Sequence, residues 1–393
     1  MKLSRKIALV VTVAAVGTAA AVLPTATSNA AVACAPAWSA STVYVKDNTA
    51  SQNGHNYTAK WWTQNESPAA NSSQWAVWAD NGACGGPAPT TPPPTGPTPP
   101  AGGRMAAAPY IYPGWGNPPA PATVVNATGI KAFTIAFVLA SNGCNPAWDG
   151  ASGLTGGVHA STIAAIRAAG ADVVPSIGGW SGNKLGPNCA TPEALAGAYQ
   201  KVIDTFRLTS IDIDIENTDE FENHVVADRI VDALKIVKQR NPGVTTILTF
   251  GTTPTGPNAH GVRLVQQARA KNANIDIFTQ MPFDFGGHAD MYAANVGATE
   301  GLKNLLKSTF GYTDAQAYAR IGISGMNGLS DQQELTTVET WTRIRDYARS
   351  KGLARFAFWA VNRDRGCAGG GVVSHCSGIA QPDWAFTRVS AGF

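Results

Sequence analysis

The sequence predicts a (β/α)8 barrel preceded by a small all-β module. Three observations carry this expectation. Over about 290 residues of the C-terminal part, eight short apolar segments alternate with amphipathic stretches, the signature of repeated βα units. A linker at 87–104, made of Pro, Thr, Gly and Ala up to Gly103, separates that part from what precedes it. Within the fourth apolar segment, Ile211-Asp212-Ile213-Asp214-Ile215-Glu216 alternates isoleucine with carboxylate. In a strand, successive side chains point to opposite faces, so the three acids share one face. Crowded like charges raise at least one pKa, and buried unpaired carboxylates are costly. A strand selected for stability alone has no use for them, whereas acid catalysis does.

Taken in order, residues 1–33 read as a secretory signal. Lys2, Arg5 and Lys6 form a charged start, Ile7 to Leu23 is apolar, and Ser28-Asn29-Ala30 offers the small residues a signal peptidase reads. The run is short and Ala-rich for a membrane span, so a secreted product with no membrane anchor in the mature form is expected. Charged residues make up 14% of the 393, with a net charge of +3. That is too mild to suggest nucleic acid as a partner. Six cysteines then meet an oxidising compartment. Their spacing fits no zinc pattern, and neither a metal nor another cofactor is expected. Fifteen pairings are open in principle. Position narrows them: Cys34 and Cys84 bracket the N-terminal segment, Cys144 and Cys189 follow two successive strands, and Cys367 and Cys376 flank a Gly-rich loop.

Residues 34–86 form the predicted module, dense in Trp38, Tyr44, Tyr57, Trp61, Trp62, Trp75 and Trp78. So small a unit has a thin core and benefits from a disulfide. Trp61 and Trp62 are adjacent, so in a strand they face opposite ways and at least one is exposed. The segment Ala59-Lys60-Trp61-Trp62-Thr63 resembles the signature of carbohydrate-binding module family 5/12. The resemblance implies chitin or cellulose binding, with Trp61, Trp62 and Tyr44 as the ligand rings.

The barrel, 105–393, has strand candidates at Pro109–Tyr112, Phe133–Leu139, Asp172–Gly178, Ser210–Glu216, Thr245–Phe250, Ile275–Met281, Arg320–Ser324 and Phe356–Val361. Between them, Thr191-Pro192-Glu193 opens a helix with a cap and a proline at its first position; its apolar repeat is Leu195, Tyr199, Val202, Ile203 and Phe206. A second helix buries Val225, Val226, Ile230, Leu234 and Val237 and stops at Asn241-Pro242-Gly243. A third opens at Ser330, with Gln333 completing a capping box, and ends near Gly352. A doubly wound open sheet is the alternative, but Pro113-Gly114-Trp115-Gly116 makes a poor phosphate-binding turn.

In a barrel, chemistry sits at the C-terminal ends of the strands. Glu216 closes strand four, with Asp214 and Asp212 in deeper layers, and Ser176-Ile177-Gly178-Gly179 closes strand three. These two segments resemble the Asp-x-Asp-x-Glu and Ser-x-Gly-Gly motifs of glycoside hydrolase family 18, the chitinases and their relatives. Met281-Pro282-Phe283-Asp284 and Trp359 extend the resemblance. It implies a barrel enzyme in which Glu216 is general acid and then base, and the substrate's 2-acetamido oxygen is the nucleophile, an arrangement known among glycosidases. Asp214 would orient the acetamido N–H. Asp212 would share a proton with Asp214, held by Ser176 and Tyr110. Trp359 would form the floor, with Met281, Gln280 and Asp284 completing the substrate site. The implied partners are chitin and chitooligosaccharides, bound and cleaved by a monomeric, extracellular protein.

Two departures stand out. Thr209 and Ser210 replace an Asp-Gly pair, and Phe283 and Phe285 flank Asp284 where the family places a Tyr hydroxyl for the acetamido carbonyl. That hydrogen bond then comes from Gln280 or Tyr292, or is absent, at a cost of roughly 2–4 kcal/mol of transition-state stabilisation. No long insertion interrupts the last strands, which points to an open cleft and endo-type cleavage. A non-catalytic chitin lectin, an endo-β-N-acetylglucosaminidase acting on N-glycans, and a hydrolase of another polysaccharide such as cellulose are the competing readings.

Overall fold

The computed structural model describes residues 32–40, 42–61, 63–73, 76–85, 104–367 and 371–393. The expected signal (1–33) and linker (87–104) fall almost wholly outside the described residues, as does Trp62. The chain divides into two compact units, Met1–Pro94 and Thr95–Phe393. Among the described residues, no helix is long and apolar enough to cross a membrane.

In the first unit, Thr49–Gln52, His55–Ala59 and Trp78–Ala83 form a three-stranded antiparallel sheet, and Val43–Tyr44 pairs with Thr63–Gln64. Its core is Tyr44, Ala50, Tyr57, Ala59 and Trp78. A disulfide between Cys34 and Cys84 ties the segment before the first of these strands to the residue after the last. One expectation is corrected here. Tyr44 is 7% exposed, packs edge-on against Trp78 at 4.9 Å and accepts a hydrogen bond from Ser39 N, so its face serves the core and not a ligand. Trp61 is 47% exposed.

The second unit is a barrel of eight parallel strands in chain order: Tyr110–Ile111, Ala132–Ser141, Asp172–Gly178, Ser210–Ile215, Thr245–Gly251, Ile277–Met281, Ile321–Met326 and Arg355–Trp359. Backbone bonds from Met105 N to Ala354 O and from Ala108 N to Phe356 O, both 3.0 Å, join the last strand to the first. Asn145–Trp148 adds an antiparallel strand to the second. Alternation governs what each strand contributes. On strand four, Ile211, Ile213 and Ile215 face outward into the core shared with the helices, leaving Asp212 and Asp214 inside the barrel. The bottom of the interior is closed by small and branched side chains: Ala108, Ala132, Val174, Ile247, Ile277 and Ala354.

The helix Pro192–Phe206 is capped by the Thr191 hydroxyl, which accepts from Ala194 N. The helix His224–Arg240 is capped by Asn223, and it leaves Val225 70% exposed where burial was expected. The third helix is Val338–Lys351, capped by Thr337. Residues 330–336, expected to be its first turns, instead belong to a hairpin in which Gly328–Leu329 pairs with Leu335–Thr336. Gln333 takes φ +69°, outside the helical region, and Ser330 bonds to Glu334 rather than capping a helix.

Candidate active site

Strand pairing places Asp212 beside Ser176 and Asp214 beside Gly178. The approach of the two strands depends on glycine. Gly178 has φ +115°, and a Cβ there would lie 2.1 Å from Asp214 O, while Gly179 N donates to that same oxygen at 2.9 Å.

Asp212 is fully buried with both oxygens engaged. Oδ2 accepts from Tyr110 OH at 2.6 Å and Ser176 Oγ at 2.8 Å; Oδ1 accepts from Thr249 Oγ1 at 2.5 Å and lies 3.5 Å from Arg355 Nη1. Arg355 is itself fully buried and donates to Thr249 and Thr134 at 3.1 and 3.2 Å. Tyr110 and Ser176 thus hold Asp212; of the two, only Tyr110 also lines the cavity. Asp214 differs from Asp212. It is 2% exposed, and its Oδ1 has no hydrogen-bond partner among the described residues. Burial raises its pKa well above the usual range, with Glu216 and Asp212 adding to the effect and Arg355 opposing it. The shift favours the protonated form of Asp214.

Glu216 stands just past the strand. Burial pushes its pKa up to about 7, Lys184 opposes, and Asp284 and Asp331 add to the rise. Lys184 is a nearly inaccessible cation, 3.1 Å from Asp219 and donating to Trp180 O. Glu220 lies deeper, with its pKa raised by burial to about 8. The sign follows from the direction: an acid whose folded pKa exceeds its unfolded 4.5 contributes stability in full below pH 4.5 and loses it progressively as pH rises to about 8. Glu220→Gln is therefore expected to flatten the fall in stability between pH 5 and 8, read by urea unfolding at several pH values. An unchanged slope would place the titration elsewhere.

A cavity of about 340 Å³ lies over these acids, lined by Asp214, Glu216, Tyr110, Met281, Asp284 and Trp359, among others. Trp359 stacks on Phe137 at 5.7 Å and 11°, giving the cavity an aromatic base. Trp180, 69% exposed, lines both this cavity and an adjoining one of about 730 Å³; Phe137, Met326, Asp331 and Trp359 are shared too.

Gln280 is a second correction. It is 1% exposed, donates to Thr252 Oγ1 at 2.8 Å and does not line the cavity. Tyr292 lies under the Arg343 guanidinium at 4.0 Å, also away from it. Phe283 does line the cavity, so the hydroxyl expected on strand six is missing; Ser324 and Gln332 bring a hydroxyl and an amide to the lining. His288 lies outside the lining and packs edge-on against Phe285. Asp364 and Arg365 make no ion pair: Asp364 accepts from Thr387, Phe386 N and Gln381, and Arg365 donates to Asn117 O. Cys144 is bonded to Cys189 and Cys367 to Cys376.

Sequence reasoning missed Arg355, Phe137, Trp180, Asp331 and Lys184. Arg355 had a signal: it lies two and four residues before Ala357 and Trp359, on the inward side of strand eight.

Residues 37–79 match carbohydrate-binding module family 5/12. A chitinase catalytic domain from Pyrococcus furiosus superposes with a TM-score of 0.67 at 29% identity, covering 74% of this chain and 96% of that one. The second unit shares its barrel fold with that chitinase catalytic domain. Across nearly the whole chain, identity is 27% to the probable bifunctional chitinase/lysozyme of Escherichia coli (strain K12), covering 93% of this chain and 42% of that protein. It is 26% to Endochitinase 11 of Metarhizium anisopliae, covering 86% and 66%. The chain thus spans less than two thirds of the length of either relative. Within that fold, Asp214 and Glu216 of strand four, Trp180 just past the glycine turn of strand three and Trp359 of strand eight line one cavity.

Proposed function

We propose that this protein is a secreted chitinase that hydrolyses β-1,4 links between N-acetylglucosamine units with the substrate's own acetamido group as nucleophile. The observation that carries this reading is the contrast between the two acids of the cavity. Glu216, with a pKa of about 7, is able both to give and to take a proton near neutrality. Asp214, buried and shifted toward its protonated form, is a poor nucleophile and presents an unpartnered oxygen in a cavity built on stacked aromatics. A substrate that supplies its own nucleophile fits this pair.

In the first step, Glu216 protonates the glycosidic oxygen, the C1–O bond breaks, and the acetamido oxygen bonds to C1 to give an oxazolinium ion. Asp214 Oδ1 accepts the acetamido N–H and steadies the positive charge. The leaving chain departs, and Glu216, now a carboxylate, takes a proton from water. That water attacks C1, opens the ring and restores the acetamido group, with the anomeric configuration retained. The cavity continues into the adjoining one, which suits an extended sugar chain and internal cleavage. The N-terminal module, presenting Trp61, would hold the enzyme on insoluble polymer and raise its local concentration there. Such a polymer is extracellular, in keeping with the signal-like start of the sequence.

The test is incubation of the protein with colloidal chitin. Release of soluble N-acetylglucosamine oligomers, β-anomeric when first formed, is the expected result. Sedimentation with chitin and no release would overturn the hydrolase reading.

A further inference from the structure

Glu334 has no part in the chemistry above, yet its carboxylate is the most heavily engaged acceptor near the cavity. It is 2% exposed. Oε2 accepts from Asp284 N at 2.7 Å and Ser330 Oγ at 3.1 Å. Oε1 accepts from Phe285 N, Gly287 N and His288 N at 2.5, 3.1 and 3.3 Å. Four backbone N–H groups of one turn therefore converge on a single side chain from the hairpin after strand seven. Gln332 of the same hairpin closes the contact: its backbone N donates to Asp284 Oδ1 at 3.1 Å, and its Oε1 accepts from Gly286 N. The turn needs such a clamp, because Asp284 has φ +57°, an unfavourable region for a residue with a Cβ.

We propose that Glu334 is a positioning residue: by gathering the 284–288 turn onto the hairpin, it fixes the Asp284 carboxylate at the cavity wall shared with Glu216. This rests on the reading of Glu216 as the acid. Fixing Asp284 has a consequence for that acid. The charged and titratable groups that act on Glu216 are Asp214 and Glu220 from its own strand and the turn after it, Lys184 from the segment after strand three, Asp284 after strand six and Asp331 on the hairpin. Arg363 faces Asp284 and Asp331 from beyond strand eight. Negative charge at Asp284 makes loss of the Glu216 proton harder. A turn released from Glu334 carries that charge away, so Glu216 titrates at lower pH.

The experiment is a pH titration of the Glu216 carboxyl carbon by 13C NMR, assigned by its absence in Glu216→Gln. It compares the parent, Glu334→Gln, Asp284→Asn and the double variant, with kcat/KM against pH on chitooligosaccharides alongside. Glu334→Gln and Asp284→Asn are each expected to lower the Glu216 midpoint by about half a pH unit, and the double variant to lower it no further. Glu334→Gln is also expected to lower kcat roughly 10–100-fold through misplacement. Glu334→Asp keeps the charge but shortens the reach. A smaller shift in the same direction separates displacement of the turn from loss of the Glu334 charge, and serves if the Gln variant fails to fold. A lower melting temperature with an unmoved midpoint, or shifts that add in the double variant, would overturn the proposal. The titration does not depend on turnover, so a parent that cleaves nothing would sink the hydrolase reading while the midpoints still decide the role of Glu334.

Discussion

Glu216→Gln is expected to lower kcat on chitooligosaccharides by about 10³–10⁴-fold while leaving substrate binding intact. The amide has the shape of the protonated acid and no charge, so the buried environment that raises Glu216 to about 7 accepts it without strain. What it lacks is a proton of suitable acidity for the leaving oxygen and a base for the incoming water, and both steps fail. The pH profile carries a second signature. In the parent, the acid must be protonated when substrate binds, so kcat/KM falls about tenfold per pH unit above roughly pH 7. That limb should vanish from whatever activity the variant retains. Steady-state kinetics from pH 5 to 9, with calorimetry for binding, check both. A loss below tenfold would mean that another group protonates the leaving oxygen.

Arg355→Met is expected to cost about 3–5 kcal/mol of stability at pH 7, more than a change at a surface ion pair. Arg355 is a fully buried cation, and it lies beside the carboxylate ladder of strand four. It neutralises Asp212, restrains the rise in the pKa of Asp214, and donates to Thr134 and Thr249, with Tyr110 under its guanidinium. Methionine fills part of the volume but leaves the Asp212 carboxylate in the barrel interior with no cation, and uncompensated buried charge is the costly case. Urea unfolding of the barrel transition measures the effect. A cost under 1 kcal/mol would mean that the three hydroxyls around Asp212 suffice to hold its charge.

The features legible in the sequence are those set by short-range periodicity. Alternation in 211–216 assigns the isoleucines to the helix side and the acids to the interior, since a strand has only two faces. The glycines at 178 and 179 announce a close approach, and Thr191-Pro192 announces a helix start. Features set by distant partners were hidden. Ser330-Asp331-Gln332-Gln333 has the spacing of a capping box, but Ser330 and Glu334 bond to each other, and Glu334 serves a turn some 46–50 residues away in sequence. Nothing local reveals that. Tyr44 and Trp61 are both aromatic, and only the fold of the module decides that one is core and the other exposed. Gln280 sits on the correct strand, yet its amide is taken by Thr252. Of the polar layer around Asp212, the family resemblance named Ser176 and Tyr110, whereas Thr134, Thr249 and Arg355 come from three further strands that chain order alone does not bring together.

The central claim is that the nucleophile comes from the substrate, and the acetamido group tests it most directly. Release of 4-nitrophenol from the β-glycosides of chitobiose and cellobiose compares two substrates with the same linkage and leaving group, differing at C2 by acetamido against hydroxyl. The account predicts hydrolysis of the chitobioside and a rate on the cellobioside lower by at least about 10³-fold, because the intramolecular nucleophile is gone. Comparable rates on the two would contradict it and point to a protein nucleophile or to direct attack by water.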